Sequence, residues 1–460
     1  MKPPLLAALL AAFPLALSAQ ETVRLDYVQD TLPNGLKVVY HVDRSSPVAA
    51  TMLWYDVGSR HEQPGRTGFA HLFEHLMLFT GSRNVPEGQH FAMLEAAGGR
   101  AGADINGTTS NDRTNYFQQV PSNMVELALW LEADRMATLD EVLNQAKLDN
   151  QREVVKNERR QGLDNQPYGR WLERMLANAF PEGHPYRHPV IGSLEDLENA
   201  RLEEVREFFR TYYVPNNAVL AVAGDIDVEA TREMVRRFFG PIPRGAEPPA
   251  RPDAAVPPRI GAPVREAIED ANAPAPAVYV GYRVPNARDP RAAAVSVLSG
   301  YLADGRTSPL YQALVQRQQV AANVFSFNFE IADGADLLVV GAVGKPGGDP
   351  AALERALLAE MEGIGARIDA AGLRRVQAAA RFGLVNQLQS MGGFGGRSDV
   401  LAEGWTIHGD PGWINRRLPA IDAVTVDGLR ALAAERLAPE NRVTLVFTPA
   451  RPATPTPARP

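Results

Sequence analysis

At 460 residues the chain is too long for one ordinary core, so two large domains are expected. Hydrophobic residues make up 45% and charged residues 22%, the profile of a soluble globular protein, and the formal charge of -7 argues against nucleic acid as a partner, because phosphate binding needs a basic face. There is no cysteine, which removes disulfides, thiolate nucleophiles and cysteine metal sites, so any metal must sit on His, Asp or Glu.

In chain order, residues 1–19 read as a signal peptide. Lys2 supplies the positive start, Leu5 to Leu17 is apolar but for Pro14, and Ala19 is the small residue that cleavage requires. The run is too short to span a bilayer, so the mature chain is expected in a periplasm or secreted. Residues 36–41 and 49–55 then read as strands. Phe69–Phe79 reads as a buried helix, with Thr67 and Gly68 as its start.

Within that helix, His71 and His75 are one turn apart and point the same way, so two imidazoles can hold one metal ion. Glu74 lies on the same general side. Eight histidines in the chain would meet at this spacing by chance in roughly one such chain in seven, and requiring the Glu lowers that about tenfold. The plain alternative is a pair of helix-face histidines beside an incidental carboxylate. Against it, Phe69, Leu72, Phe73, Leu76 and Met77 make the helix apolar nearly all round, and three ionisable groups there are costly unless compensated.

Catalytic zinc commonly takes three protein ligands and keeps one position open. A third candidate is Glu158, on a helical run over 143–161. There Gln151, Val154, Val155 and Glu158 share one face, read as inward, while Arg152, Glu153, Lys156, Asn157 and Arg159 point elsewhere. His184 and His188 are also four apart, but Pro185 between them argues against a shared helical face.

The first half closes with a helix over Leu202–Tyr212, a Pro-Asn turn and an apolar strand at 218–223. Residues 241–264 are rich in proline and read as a linker. Beyond it, 277–282 and 337–342 read as strands and 351–362 as a helix. Residues 392–396, Gly-Gly-Phe-Gly-Gly, lack the Lys-Ser/Thr of a nucleotide loop and read as a flexible connector. The chain then repeats its earlier ending: helix at 426–437, Pro439 and Asn441, strand at 442–447. This recurrence suggests two related α+β domains, 20–240 carrying the His pair and 265–447 without one. A Pro-rich tail at 448–460 is expected to be disordered.

His71-Leu72-Phe73-Glu74-His75 resembles the inverted zinc motif of the pitrilysin/insulinase metallopeptidase family, relatives of the mitochondrial processing peptidase. Residues 149–160 resemble the segment supplying that family's glutamate ligand, which matches Glu158. Residues 102–109 and 112–116 resemble the strand beside its active site. The resemblance implies two homologous domains, each a mostly antiparallel sheet packed with helices and together half of a clamshell chamber. It implies one Zn2+ per chain on His71, His75 and Glu158, with Glu74 as general base. Asn106 and Gly107 would pair with an extended substrate as an added strand. The expected activity is zinc-dependent endopeptidase or oligopeptidase cleavage of peptides or unfolded segments. The alternative is a non-catalytic, peptide-binding or scaffolding subunit of a two-chain complex. A purely structural zinc site would leave Glu74 without a role.

Two positions depart from the family pattern. Gln151 stands where many members carry a further Glu. Tyr279 matches the Tyr of a substrate-holding Arg/Tyr pair, but the Arg position falls on Asn272, and the second half lacks its own His-x-x-Glu-His. The implied partner is a second copy or a non-zinc family member that supplies the pair.

Overall fold

The computed structural model describes residues 24–450. The signal peptide read at 1–19 and most of the tail read at 448–460 lie outside them. Among the described residues no helix is long and apolar enough to cross a membrane.

The first half contributes strands β1 (Val28–Thr31), β2 (Lys37–Val42), β3 (Val48–Tyr55), β4 (Ile105–Thr109), β5 (Thr114–Pro121) and β6 (Ala218–Gly224). They form one sheet in the order β1-β2-β6-β3-β5-β4. The second half contributes β7 (Val264–Asp270), β8 (Ala277–Pro285), β9 (Ala321–Phe329), β10 (Ala335–Gly344) and β11 (Arg442–Pro449), in the order β7-β11-β8-β10-β9. Leaving out β1, the two orders are the same. Each sheet has one parallel pair, β2 with β6 and β7 with β11, and is otherwise antiparallel. Both halves are therefore α+β with the same topology, as the repeated ending suggests. Strand β11 runs two residues into the segment read as tail, with Pro449 opposite Asp270.

The central strands β6 and β8 are buried at every position. Such runs do not alternate because both faces of the sheet are covered. In the first sheet, Val38, Tyr40, Leu53, Leu220 and Val222 pack against helices of their own half, including Leu72, Phe73, Leu76 and Phe209. The opposite face, with Val39, Met52, Trp54, Phe117 and Val219, is covered by the second half through Leu401, Ala402, Ile414 and Leu418. The second sheet mirrors this. Val280, Tyr282 and Leu338 pack on their own helices, whereas Tyr279, Leu337, Val339 and Leu445 are covered by Met175, Leu176 and Phe180 of the first half. The approach is close: a Cβ on Gly281 would stand 2.4 Å from the Met175 sulfur. Each fully buried Leu, Val or Met contributes about 1.5–3 kcal/mol, so separating the halves forfeits many such terms.

The proline-rich stretch between the halves is strapped down. The Ala254 carbonyl meets His184 Nε2 at 3.1 Å, and Gly261 donates to the Glu440 carbonyl at 2.8 Å. The Pro252 carbonyl accepts from Arg60 at 2.8 Å. Arg60 also donates to Asp112 at 2.9 Å, to the Tyr186 hydroxyl at 2.8 Å and to Asp333 of the second half at 2.5 Å. Asp112 in turn accepts from the Ala332 backbone N–H at 2.9 Å. One buried guanidinium thus ties both halves and the linker. Removing Arg60 leaves the buried Asp112 without a counter-charge, held by the Tyr186 hydroxyl and the Ala332 N–H alone, while Asp333 keeps Arg288 at 2.7 Å. Arg60→Met is expected to lower unfolding stability by about 3–5 kcal/mol in a denaturant titration. A loss under about 1 kcal/mol would assign the network no more than the value of a surface pair.

Candidate metal centre

Helix Phe69–Phe79 starts at Gly68, whose φ of +92° suits glycine. A Cβ there would stand 2.8 Å from the Ile191 carbonyl, so the loop holding Ile191 can close on the helix start only over glycine. The first free N–H groups are met by Glu62, which accepts from Gly68 at 2.9 Å and from Ala70 at 2.8 Å. His188 Nε2 lies 2.9 Å from the same carboxylate. Burial opposes a charge on His188, but the bond to Glu62 prevails and raises its pKa. Burial raises Glu62 against the opposing pull of His188. At the far end, Lys147 donates from Nζ to the Thr80 carbonyl at 2.7 Å, tying this helix to helix Gln145–Arg159. His184 and His188, four apart in sequence, therefore serve different partners.

The two helices bring His71, His75 and Glu158 together. One ligand atom from each lies within 4.8 Å of the others, and this is the metal-capable grouping found among the described residues. Glu158 Oε2 is 3.3 Å from His75 Nε2 and 3.7 Å from His71 Nε2. The rings are 4.8 Å apart and nearly perpendicular. Burial, then the neighbouring His75, pushes His71 down to about 4, against the pull of Glu158. Burial disfavours charge on His75 most strongly, but the bond to Glu158 and the charges of Glu158 and Glu74 together overcome it and raise it. Burial alone would raise Glu158, but the bond to His75 and the charges of both histidines together lower it. The Nδ1 atoms of both histidines are buried without a hydrogen-bond partner. Two imidazole nitrogens aimed at one carboxylate oxygen is a donor set that suits zinc.

Glu158 is not on an inward face. Its side chain is 45% exposed, and Val154 is exposed too. The buried face of helix Gln145–Arg159 is Leu148, Gln151, Val155 and Arg159, the last donating to the Gly192 carbonyl at 2.7 Å. Glu158 sits on the flank, where the site meets solvent. The long aliphatic stem of Arg159 and its carbonyl partner make an inward position possible for a residue that charge alone would place outside.

Glu74 is buried and accepts from the Thr109 hydroxyl at 2.7 Å through Oε2. Burial raises its pKa, while Thr109, His75 and Arg113 work the other way. Thr109 ends β4, the outermost strand of its sheet. Asn106 and Gly107 lie on the same strand. The Gly107 N–H, on the free edge of the strand, donates to the Asn106 side-chain oxygen at 2.9 Å, so the edge is covered by its own neighbour. A Cβ on Gly107 would stand 3.0 Å from the Tyr116 ring and 3.1 Å from Leu78, so glycine lets β4 lie close to the helix. His71, Glu74, Gly107, Thr108, Thr109, Val190 and Ile191 line a cleft of about 300 Å³.

Other residues singled out from the sequence fall elsewhere. Tyr279 is buried on β8, its ring 5.5 Å from and stacked on Trp171, and it is not among the residues lining this cleft. Asn272 is in the turn after β7 and donates to the Asp164 carbonyl at 3.1 Å. Gln151 is buried against His75. Thr109 and Glu62 were not singled out. Thr109 lay in a segment already noted, and its hydroxyl opposite a buried acid is the signal that could have found it. Glu62 had none, since a carboxylate capping a helix six residues on has no local pattern.

Residues 37–193 match the family model described as insulinase, peptidase family M16, and residues 199–380 match the model described as the peptidase M16 inactive domain. The chain is 30% identical to the zinc protease PqqE of Helicobacter pylori over 339 residues, 72% of this chain and 73% of that protein. Its fold is similar to the crystal structure of a protease from Helicobacter pylori, with a TM-score of 0.84 and 26% identity, covering 93% of this chain and all of that one. It is also similar to the periplasmic protease PqqL from Escherichia coli, with a TM-score of 0.73 and 17% identity, covering 93% of this chain but 48% of that one.

Zinc that binds the folded chain must stabilise it, by about 2.7 kcal/mol at a hundredfold excess over its Kd. Added zinc is expected to raise the melting temperature of the metal-stripped protein, and His75→Ala and Glu158→Ala are each expected to lose that rise. An equal rise in both variants would remove the metal from these residues.

Proposed function

Since the chain belongs to the insulinase family of peptidases, M16, we propose that it is a zinc-dependent endopeptidase or oligopeptidase acting on extended peptides. The observation that carries this is the meeting of His71, His75 and Glu158 beside the buried Glu74, at the free edge of β4. His71, His75 and Glu158 would hold one zinc ion. When bound, zinc would act as a Lewis acid that acidifies water and polarises a peptide carbonyl.

The chain's own groups do the rest. Thr109 fixes one oxygen of Glu74, leaving Oε1 to take a proton from water and return it to the departing amine. Desolvation brings this carboxyl closer to neutral pH, where a base both accepts and releases a proton readily. An extended substrate would displace the Asn106 side chain from the Gly107 N–H and add to β4 as a further strand.

A partner chain belongs to this proposal. Tyr279 lies under Trp171 of its own chain, and a second copy would bury its Tyr279 in the same way. The missing Arg/Tyr pair is therefore assigned to a non-zinc family member. The single PqqL chain, about twice as long as this one, supports a chamber made from two such units. The signal-like first residues and the periplasmic setting of PqqL support export.

The second reading, a peptide-binding subunit without activity, draws on the description of the second half's matching model as an inactive domain. The His pair, Glu74 and Glu158 all lie outside that match. Glu74→Gln separates the readings. The zinc-loaded wild type, alone or with a co-purifying partner, is expected to cleave a mixed peptide pool. The variant is expected to keep its zinc and lose about 10²–10⁴-fold in rate. Zinc-loaded wild type that cleaves nothing in either setting would favour the binding subunit.

A further inference from the structure

The glycine-rich loop at residues 392–396, read from the sequence as a flexible connector, is held at both ends. Gly392 donates its N–H to the Gln119 side chain at 3.0 Å, and Gly395 donates to Asp399 at 2.8 Å. Arg397 and Ser398 close it by donating to the carbonyls of Ser390 and Met391, each at 3.0 Å. Gly393 and Gly395 have φ of +74° and +70°, conformations that side chains resist, and between them they present Phe394.

Phe394 is 55% exposed although its ring stands edge-on to the buried Phe117 at 4.9 Å. Phe117 is on β5, directly opposite Asn106 of β4. The loop starts over Ala50 of β3, passes Gln119 of β5 and reaches the Ala103 carbonyl just before β4. The second half thus lays an apolar ring on the first sheet, at its open edge. Side chains of β4 alternate. Gly107 and Thr109 face the helix that carries Glu74, while Asn106 and Thr108 share the face of Phe117 and Phe394.

We propose that Phe394 is a specificity-determining platform for a large apolar side chain of the substrate. The proposal rests on the peptidase reading above for its geometry. A peptide added to the edge of β4 points alternate side chains toward the two faces of the sheet. Those on the metal face reach the cleft, and those on the other face pass the Phe394 ring. Thr109, bonded to Glu74, marks the level of the reacting bond. Asn106 is three residues from it, roughly 10 Å along a strand. The preferred side chain therefore belongs two to four residues from the scissile bond, and aromatic or long aliphatic groups fit a ring that is edge-supported and open above.

The test uses quenched peptides that differ only by Phe or Ser at each position from two to four residues on either side of the cleaved bond. Wild type, Phe394→Ala and Phe394→Leu are compared, each with the co-purifying partner if one exists. Wild type is expected to favour Phe at one of these positions by about tenfold in kcat/KM, equivalent to about 1.4 kcal/mol. That ratio is expected to fall to about one in Phe394→Ala and to remain severalfold in Phe394→Leu. A ratio unchanged in Phe394→Ala, including one where both peptides lose equally, overturns the proposal. Binding of the same fluorescent peptides to zinc-loaded Glu74→Gln, with and without Phe394→Ala, is measured in parallel. If nothing is cleaved yet binding favours Phe and depends on Phe394, the platform stands and the peptidase reading falls. If binding shows no such dependence, the platform falls whatever the activity.

Discussion

Two sheets whose central strands are apolar on both faces must be covered twice, and each half covers only one face of its own sheet. The other face is closed by the neighbouring half, with Leu401 and Ala402 over the first sheet and Met175 and Leu176 over the second. This reciprocal cover turns two copies of one topology into a single body. It also explains why the linker can be rich in proline without acting as a hinge. Its carbonyls at Pro252 and Ala254 are fixed by Arg60 and His184, and Gly261 is fixed to Glu440.

The site inherits its order from that packing. A helix buried nearly all round carries two histidines and a glutamate at less cost where partners answer them, and here most of their polar groups are answered, the two Nδ1 atoms excepted. Glu62 and His188 answer the helix start, Thr109 answers Glu74, and Glu158 answers both imidazoles. Burial pushes both imidazoles toward the neutral form and prevails at His71, whereas at His75 the bond to Glu158 and the charges of Glu158 and Glu74 together overcome it, so the two shift in opposite directions one turn apart. Glu158 stands at the rim, so the donor set is buried on one side and open on the other. That asymmetry is what a catalytic site needs and a closed structural site lacks.

The second half is not merely a wall. Helix Arg397–His408 places Asp399 on Trp54 and Asn115, behind the strand pair that bears Thr109. Arg113, over the Trp54 ring, donates to the Thr108 carbonyl at 2.8 Å, and Asp399 and Glu74 both favour its charge against burial. The glycine-rich loop leads into this same helix. The open edge of β4 is thus shaped from one side by the helix with the histidines and from the other by residues nearly 300 positions later in the chain.

What the sequence by itself determined is what local chemistry and period can carry. The spacing of His71, Glu74 and His75 on an apolar helix marked the site, and the repeated helix, Pro-Asn turn and strand marked the duplication. Helical periodicity offered Glu158 and the resemblance matched it; the structure brings it to the histidines, from an exposed flank rather than an inward face. The bounds of helix Phe69–Phe79 were legible too, because nothing within it breaks a helix. The tertiary structure alone decided which faces are inward. Arg159 turned in and Val154 out, Tyr279 went under Trp171, and a loop of four glycines was pinned rather than loose. Each of these depends on a partner far away in sequence. Periodicity reports only that a face is apolar; which surface covers it is settled when the two halves close on each other, and that contact has no local signature.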